Sequence, residues 1–149
     1  MLDAIADAAA AESPLWGGAL KPAAERGDEM VFSSLAPPEH RIGLETIYEG
    51  YLVHYGRSRV FAPPERDTAL LLGDYLYAHG LVRIAATGDV KAVSDLAELI
   101  SRCARLRAEG LDGDGLEWAA TASSLGASET VASDDAVGVA LAAHARLVG

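Results

Sequence analysis

Residues 37–88, PPEHRIGLETIYEGYLVHYGRSRVFAPPERDTALLLGDYLYAHGLVRIAATG, decide the fold. Pro37-Pro38 opens one block and Gly56 closes it; Pro63-Pro64 opens the next, which runs to Gly88. Proline is tolerated in the first helical turn, where backbone N–H groups have no partner, so both blocks read as helices with marked starts. In the first, Leu44, Ile47, Tyr48, Tyr51, Leu52 and Tyr55 recur at i, i+3, i+4, i+7, i+8 and i+11, one continuous face of a 3.6-residue helix. In the second, Leu70, Leu71, Leu72, Leu76, Leu81 and Ile84 leave hardly a polar side, and Glu65 and Asp67 suit the positive end of the helix dipole. A helix apolar all round belongs inside, so residues 64–87 are predicted to form the central helix of a bundle.

Working outward, Asp89 is placed to cap a further helix. Its apolar positions Val90, Val93, Leu96, Ala97, Ile100, Cys103, Ala104 and Leu106 step by three or four until Gly110. After the turn LDGDG come a shorter helix over about 115–125 and a last one from near Ser133, with Asp134 and Asp135 in its first turn. Upstream, the alanines of residues 2–12 favour helix, and Pro14, Gly17, Gly18, Pro22 and Gly27 make residues 13–36 a long, mobile connection. Strand-type alternation is lacking throughout. The expected fold class is all-α, a compact helical bundle of about six helices. Residues 1–36 would be an N-terminal helix with its connection, and residues 37–149 a single bundle domain.

A length of 149 residues suits one core, and 50% hydrophobic against 23% charged residues is an ordinary globular composition. The net charge of −10 repels phosphate backbones and anionic lipid, which argues against nucleic acid and membrane surfaces as partners. Cys103 is the only cysteine, so intramolecular disulfides and cysteine-based metal clusters are excluded and a reducing, cytoplasmic setting is expected. The N-terminal MLDAIADAAAAESP lacks the basic start of a signal peptide, and no window reaches the 18 or so apolar residues of a membrane span, so no membrane insertion is expected.

Few residues read as chemistry. Cys103 lies on an apolar stripe and is expected in the core. Asp134-Asp135 reads as a helix first turn, and Asp112-Gly113-Asp114-Gly115 as a turn, since the remaining ligand positions of a calcium loop are missing. His40, His54, His79 and His144 show no HExxH spacing, and Ser58, Ser94 and Ser101 sit in no nucleophile elbow. No catalytic residue, metal site or cofactor is therefore predicted. The remaining cluster is Tyr48, Tyr51, His54, Tyr55, Arg57 and Arg59, within a region holding seven of the nine aromatics. Aromatics at helical spacing fit a core or an interface. Alternatively, Tyr51, His54, Tyr55, Arg57 and Arg59 would line an apolar groove with arginines at its mouth, suited to an acidic amphiphile.

Three stretches, ALLLGDYLYAHGLVRIAATGD (69–89), VKAVSDLAELISRCARLRAEG (90–110) and LEWAATASSLGASETVASDDAVGVALAAHARLVG (116–149), resemble the trans-isoprenyl diphosphate synthases, or polyprenyl synthetases. The distinctive part is Gly73-Asp74-Tyr75-Leu76, similar to that family's central helix. The resemblance implies an isoprenoid-synthase-like half with Gly73, Asp74 and Tyr75 as structural residues, and because its helix reads as surrounded Asp74 is expected to be a buried or interface hydrogen-bonding residue. It also implies what is missing. The family's enzymes bind diphosphate through magnesium held by two aspartate-rich motifs. After LVH this sequence reads Tyr55, Gly56, Arg57, Ser58, Arg59, and the second motif would fall beyond LAAHARLVG. The expected function is a non-catalytic helical domain acting by self-association or as a partner subunit. Homodimerisation would run through the helices of residues 37–56 and 64–87, and a full-length isoprenyl diphosphate synthase is a further candidate partner. The alternatives are prenyl transfer completed by another chain, or an isoprenoid or lipid carrier.

Overall fold

A computed structural model describes residues 1–126 and 132–148. Seven α-helices occur among the described residues: α1 (Leu2–Glu12), α2 (Pro14–Gly18), α3 (Arg41–Tyr55), α4 (Arg66–Ala85), α5 (Val90–Ala108), α6 (Asp114–Ser124) and α7 (Asp134–Val148). The all-α reading holds, and the described residues contain no strand beyond an isolated bridge between Leu20 and Phe61. The helix starts follow local chemistry. Asp89 accepts a hydrogen bond from the Ala92 N–H at 2.9 Å, capping α5 as its position suggested. Pro38 opens a 3-10 turn, Pro38–His40, which delays α3 to Arg41.

The centre of the fold is α3, where sequence reading placed the helix of residues 64–87. Every residue from Gly43 to Leu52 is buried, Glu45, Thr46 and Glu49 included. Its three polar residues disguise α3 in the sequence as a half-exposed helix. The apolar α4 instead lies on the outside and turns one face to solvent, with Leu71 57% and Val82 64% exposed. That face also carries Ala78 and Ala85, with Tyr75 partly covered. Leu71, Ala78, Val82 and Ala85 are the exposed residues of this face, while Tyr75 turns toward Trp16.

On their inner sides α3 and α4 run antiparallel and approach closely, because glycine faces glycine at two levels seven residues apart. A Cβ on Gly80 would lie 2.9 Å from the carbonyl oxygen of Gly43, and one on Gly50 would lie 2.9 Å from that of Gly73. Ile47 fits between the two levels, 2.4 Å from where a Gly80 Cβ would stand. This contact gives Gly73 of the Gly-Asp-Tyr-Leu stretch its physical role: any Cβ there would occupy the ring of His54, 2.1 Å away.

Two apolar clusters flank this pair. The larger joins Phe32, Tyr48, Tyr51, Leu96, Cys103, Trp118 and Ala143 across α3, α5, α6 and α7. The smaller packs Leu2, Ile5 and Ala9 of α1 onto Val60, Phe61, Leu72 and Leu76. Residues 13–36, expected as a mobile connection, hold α2 and two 3-10 turns and run along the α3–α4 connection. Hydrogen bonds from Lys21 N to Val60 O (2.9 Å), Ala62 N to Ala19 O (2.8 Å) and Gly27 N to Arg59 O (2.9 Å) join the two segments. Tyr48 and Tyr51 are fully buried within one chain, so the aromatic stripe that motivated dimerisation through α3 needs no second copy to cover it.

Candidate functional site

The most unusual chemistry lies on α3. Glu45 and Glu49, one turn apart, are completely buried and point at the α3–α4 connection, where Arg59 enters the core between them. Arg59 Nη1 donates to Glu45 Oε2 at 2.7 Å and Nε donates to Glu49 Oε2 at 2.9 Å. The second oxygen of each carboxylate is also used. Glu45 Oε1 accepts from the Val31 and Ser33 N–H groups at 3.1 and 3.0 Å, and Glu49 Oε1 accepts from the Val60 N–H at 3.1 Å and from the Ser58 hydroxyl. Arg59 Nη1 reaches the Glu29 carbonyl as well, at 2.8 Å. Burial alone would lower the Arg59 pKa, but the two carboxylates outweigh it and the net direction is upward. Burying ions is costly unless each is paired and hydrogen-bonded, and here nearly every oxygen and donor is engaged. Arg59 Nη2 is the exception. One guanidinium thus fastens residues 29–33 and 58–61 to the same face of α3.

A second network begins where the first ends. The Arg59 guanidinium lies 5.2 Å from the centre of the Tyr48 ring, within cation–π range. The Tyr48 hydroxyl meets His144 Nδ1 at 2.8 Å, and His144 Nε2 meets Asp114 Oδ2 at 3.1 Å. Because the carboxylate can only accept, Nε2 carries the imidazole proton and Nδ1 accepts from tyrosine. Asp114 Oδ2 also accepts from the Tyr51 hydroxyl and from Arg107 Nη2 (2.7 Å), while Arg107 Nε donates to the Tyr51 hydroxyl at 2.9 Å. Burial raises the Asp114 pKa, but these donors and charges prevail and hold it below the usual carboxylate value. Burial lowers the pKa of His144, with Asp114 opposing, and raises those of Tyr48 and Tyr51. The side chains come from α3, α5, α6 and α7, so the network ties four helices together.

These arrangements reassign the sequence-derived residues. Tyr51 joins the second network, and Tyr55 packs on it with ring centres 5.0 Å apart and Arg107 alongside. His54 turns to α4, 3.0 Å from the Leu70 carbonyl and 3.5 Å from Asp74. Arg57 donates to the Arg146 carbonyl on α7. Arg59 is in the core instead of at a groove mouth, because two buried carboxylates outcompete solvent for it. The five residues therefore do not line one groove. Asp74, expected in a buried or interface position, has a side chain 70% exposed on the outer side of α4. Tyr75 is stacked between Trp16 and His79, at 5.7 and 5.5 Å. Cys103 is buried, and its thiol is pushed up to about 12 by burial, far from a reactive thiolate.

Sequence reading missed Glu45, Glu49, Asp114, Arg107 and His144 as partners. The signal for the first two was present: a Glu-x-x-x-Glu pair bordering the apolar face of a helix, followed by an arginine in the next connection. Among the described residues no three His, Cys, Asp or Glu side chains converge as a ligand set for a metal ion. A cleft of about 680 Å³ between Pro37, Arg41, Leu125 and Ala136 is lined by none of the network residues. No described helix is long and apolar enough to cross a membrane. No family model, curated protein or solved structure matches the chain.

Proposed function

We propose that this chain works as a helical interaction module, binding another helix instead of transforming a substrate. The observation that carries the reading is the outer face of α4, where Leu71, Ala78, Val82 and Ala85 face solvent at heptad spacing on a 20-residue helix. Isolated exposed leucines need no explanation, but a seam in heptad spacing is the pattern of helix-on-helix packing. The polar networks support it from the other side. Glu45, Glu49, Arg59, Tyr48 and His144 spend their hydrogen-bonding capacity on one another and on the backbone, beneath the surface, where they rigidify the frame that presents α4. Where the resembled polyprenyl synthetases carry their first aspartate-rich motif this sequence reads Tyr55, Gly56, Arg57, Ser58, Arg59, which supports a non-catalytic role.

The test is native size. In extracts of cells expressing the chain, it should run in a species larger than its own 15.5 kDa, and Val82→Glu should return it to that mass. Wild-type chain running at 15.5 kDa in such extracts would overturn the reading.

A further inference from the structure

Two clefts meet at the C-terminal end of α3. One, of about 350 Å³, has Leu52, Val53, Phe61 and Pro63 for its floor and is bordered by Lys21 and Arg57. The other, of about 310 Å³, lies among His54, Pro64, Leu70 and the first residues of α4. Val53 and Pro63 line both, so the two form one groove. We propose that this groove binds a single-chain amphiphile with an anionic head, the head held between Lys21 and Arg57 and the apolar chain lying over Val53 and Pro63 toward Leu70. The site goes beyond the interaction-module reading and does not rest on it. Of the residues singled out in the sequence as a groove, only His54 and Arg57 border it.

Charge decides which end takes the head. No acidic residue lines the first cleft, on a chain where 22 acids stand against 12 bases. Arg59, Arg102, Arg105, Arg107 and Arg146 each pair with a carboxylate. Lys21 and Arg57 instead donate to main-chain carbonyls, Lys21 Nζ to Ser58 O at 2.6 Å and Arg57 to Arg146 O. A carbonyl holds a cation in place without cancelling its charge, and each side chain keeps further N–H groups for an anion. The nearby acids are already committed, Glu49 to Arg59 and Ser58, and Glu29 to Arg146 at 2.7 Å. The overall charge of −10 repels an anion at long range, but that repulsion is screened beyond about 8 Å at physiological salt, so the local pair prevails. At the far end Glu65 stands beside Arg66, which leaves no net charge there for a head. Leu70, 42% exposed, supplies apolar surface for the tail. Both volumes lie near the lower limit of small-molecule sites, about 300 Å³, which suits one chain and excludes two.

Calorimetric titration of the purified chain with sodium decanoate below its micellar concentration tests the site. Decanoate should bind once per chain and about four- to fifteen-fold more tightly than octanoate, the gain expected for two further covered methylenes. Acetate, which lacks the tail, and decyltrimethylammonium, which reverses the head charge, should not bind. Lys21→Glu and Arg57→Glu should each weaken decanoate by about tenfold or more, with unchanged helical circular dichroism, and Arg57→Lys should restore most of the loss. Arg105→Glu makes the same change in net charge on the exposed side of α5 and should leave binding as it was. Absence of decanoate binding, equal affinity for decanoate and decyltrimethylammonium, or equal effects of Arg57→Glu and Arg105→Glu would overturn the proposal. So would flotation of the chain with phosphatidylglycerol vesicles without binding of free decanoate, which would assign the two cations to a membrane surface.

Discussion

Gly50 and Gly73 meet across the α3–α4 interface so closely that a methyl group on Gly50 would stand 2.9 Å from the Gly73 carbonyl oxygen. Real Cβ atoms do not approach backbone oxygen so nearly, so Gly50→Ala must push the helices apart. Alanine gains about 1 kcal/mol over glycine in helix propensity, but overpacking a close interface costs about 1–3 kcal/mol, and the strain should win. Gly138 on α7 has open space where its Cβ would be, so Gly138→Ala should stabilise by about 0.5–1 kcal/mol. Urea unfolding of both variants checks the contrast; equal shifts of the same sign would contradict the close approach.

Removing Arg59 should be among the most damaging single changes. Arg59→Met leaves Glu45 and Glu49 buried one turn apart without a counter-ion, a loss of about 3–5 kcal/mol by analogy with broken buried ion pairs. Arg59→Lys should recover only part of it, because one ammonium cannot reproduce the separate bonds from Nε and Nη1. Denaturant midpoints of the two variants measure both effects, and a midpoint near wild type for Arg59→Met would refute the role given to the triad.

Stability should fall on acidification in two stages. His144 has a folded pKa lowered by burial from its ordinary 6.5, so the unfolded chain binds the proton more readily and stability drops as pH falls through and below that value. Asp114 has a folded pKa held below its ordinary 3.8, so its contribution is present above that value and is lost as pH falls further. Unfolding midpoints between about pH 8 and pH 5 read the first stage, and His144→Gln should reduce it, with His79, also lowered by burial, supplying the rest. A wild-type profile level across that range would show that His144 titrates alike in both states.

Magnesium with an allylic diphosphate should leave the melting temperature unchanged. A ligand that binds only the folded state raises it by mass action, and no set of three ligand side chains converges among the described residues. A rise that depends on both components would favour prenyl-diphosphate chemistry instead.

Much of the helical framework is legible in the sequence, because Pro37-Pro38, Pro63-Pro64, Gly88, Asp89 and Gly110 punctuate it by local rules that tertiary contacts do not override. Which helix is central is not legible from apolar content alone. The Leu-rich α4 reads as the inner helix and lies outside, while α3 carries two glutamates in a stretch, Gly43 to Leu52, that is buried throughout, because Arg59 neutralises part of their charge from a neighbouring segment. Asp114 reads as a turn residue and His144 as an isolated histidine. Their meeting depends on how α6 and α7 pack on α3, which no local pattern encodes. Arg57 and Arg59 look equivalent in Arg-Ser-Arg, and an extended chain would send both to one side, yet the bends at Gly56, Arg59 and Val60 part them, one reaching α7 and one the core.

The two buried networks differ in the length of chain each must close, and this orders the assembly of the molecule. Arg59 is ten residues from Glu49, fourteen from Glu45 and thirty from the Glu29 carbonyl. The hydrogen bond between Tyr48 and His144 spans 96 residues. Short loops lose less entropy on closing, so residues 29–61 can organise around their ion triad early in folding, while α7 is expected to dock last. The order reverses on opening. Amide hydrogens of α7 should exchange through a smaller, partial unfolding, whereas those of Gly43 to Leu52 should exchange only when the whole chain unfolds.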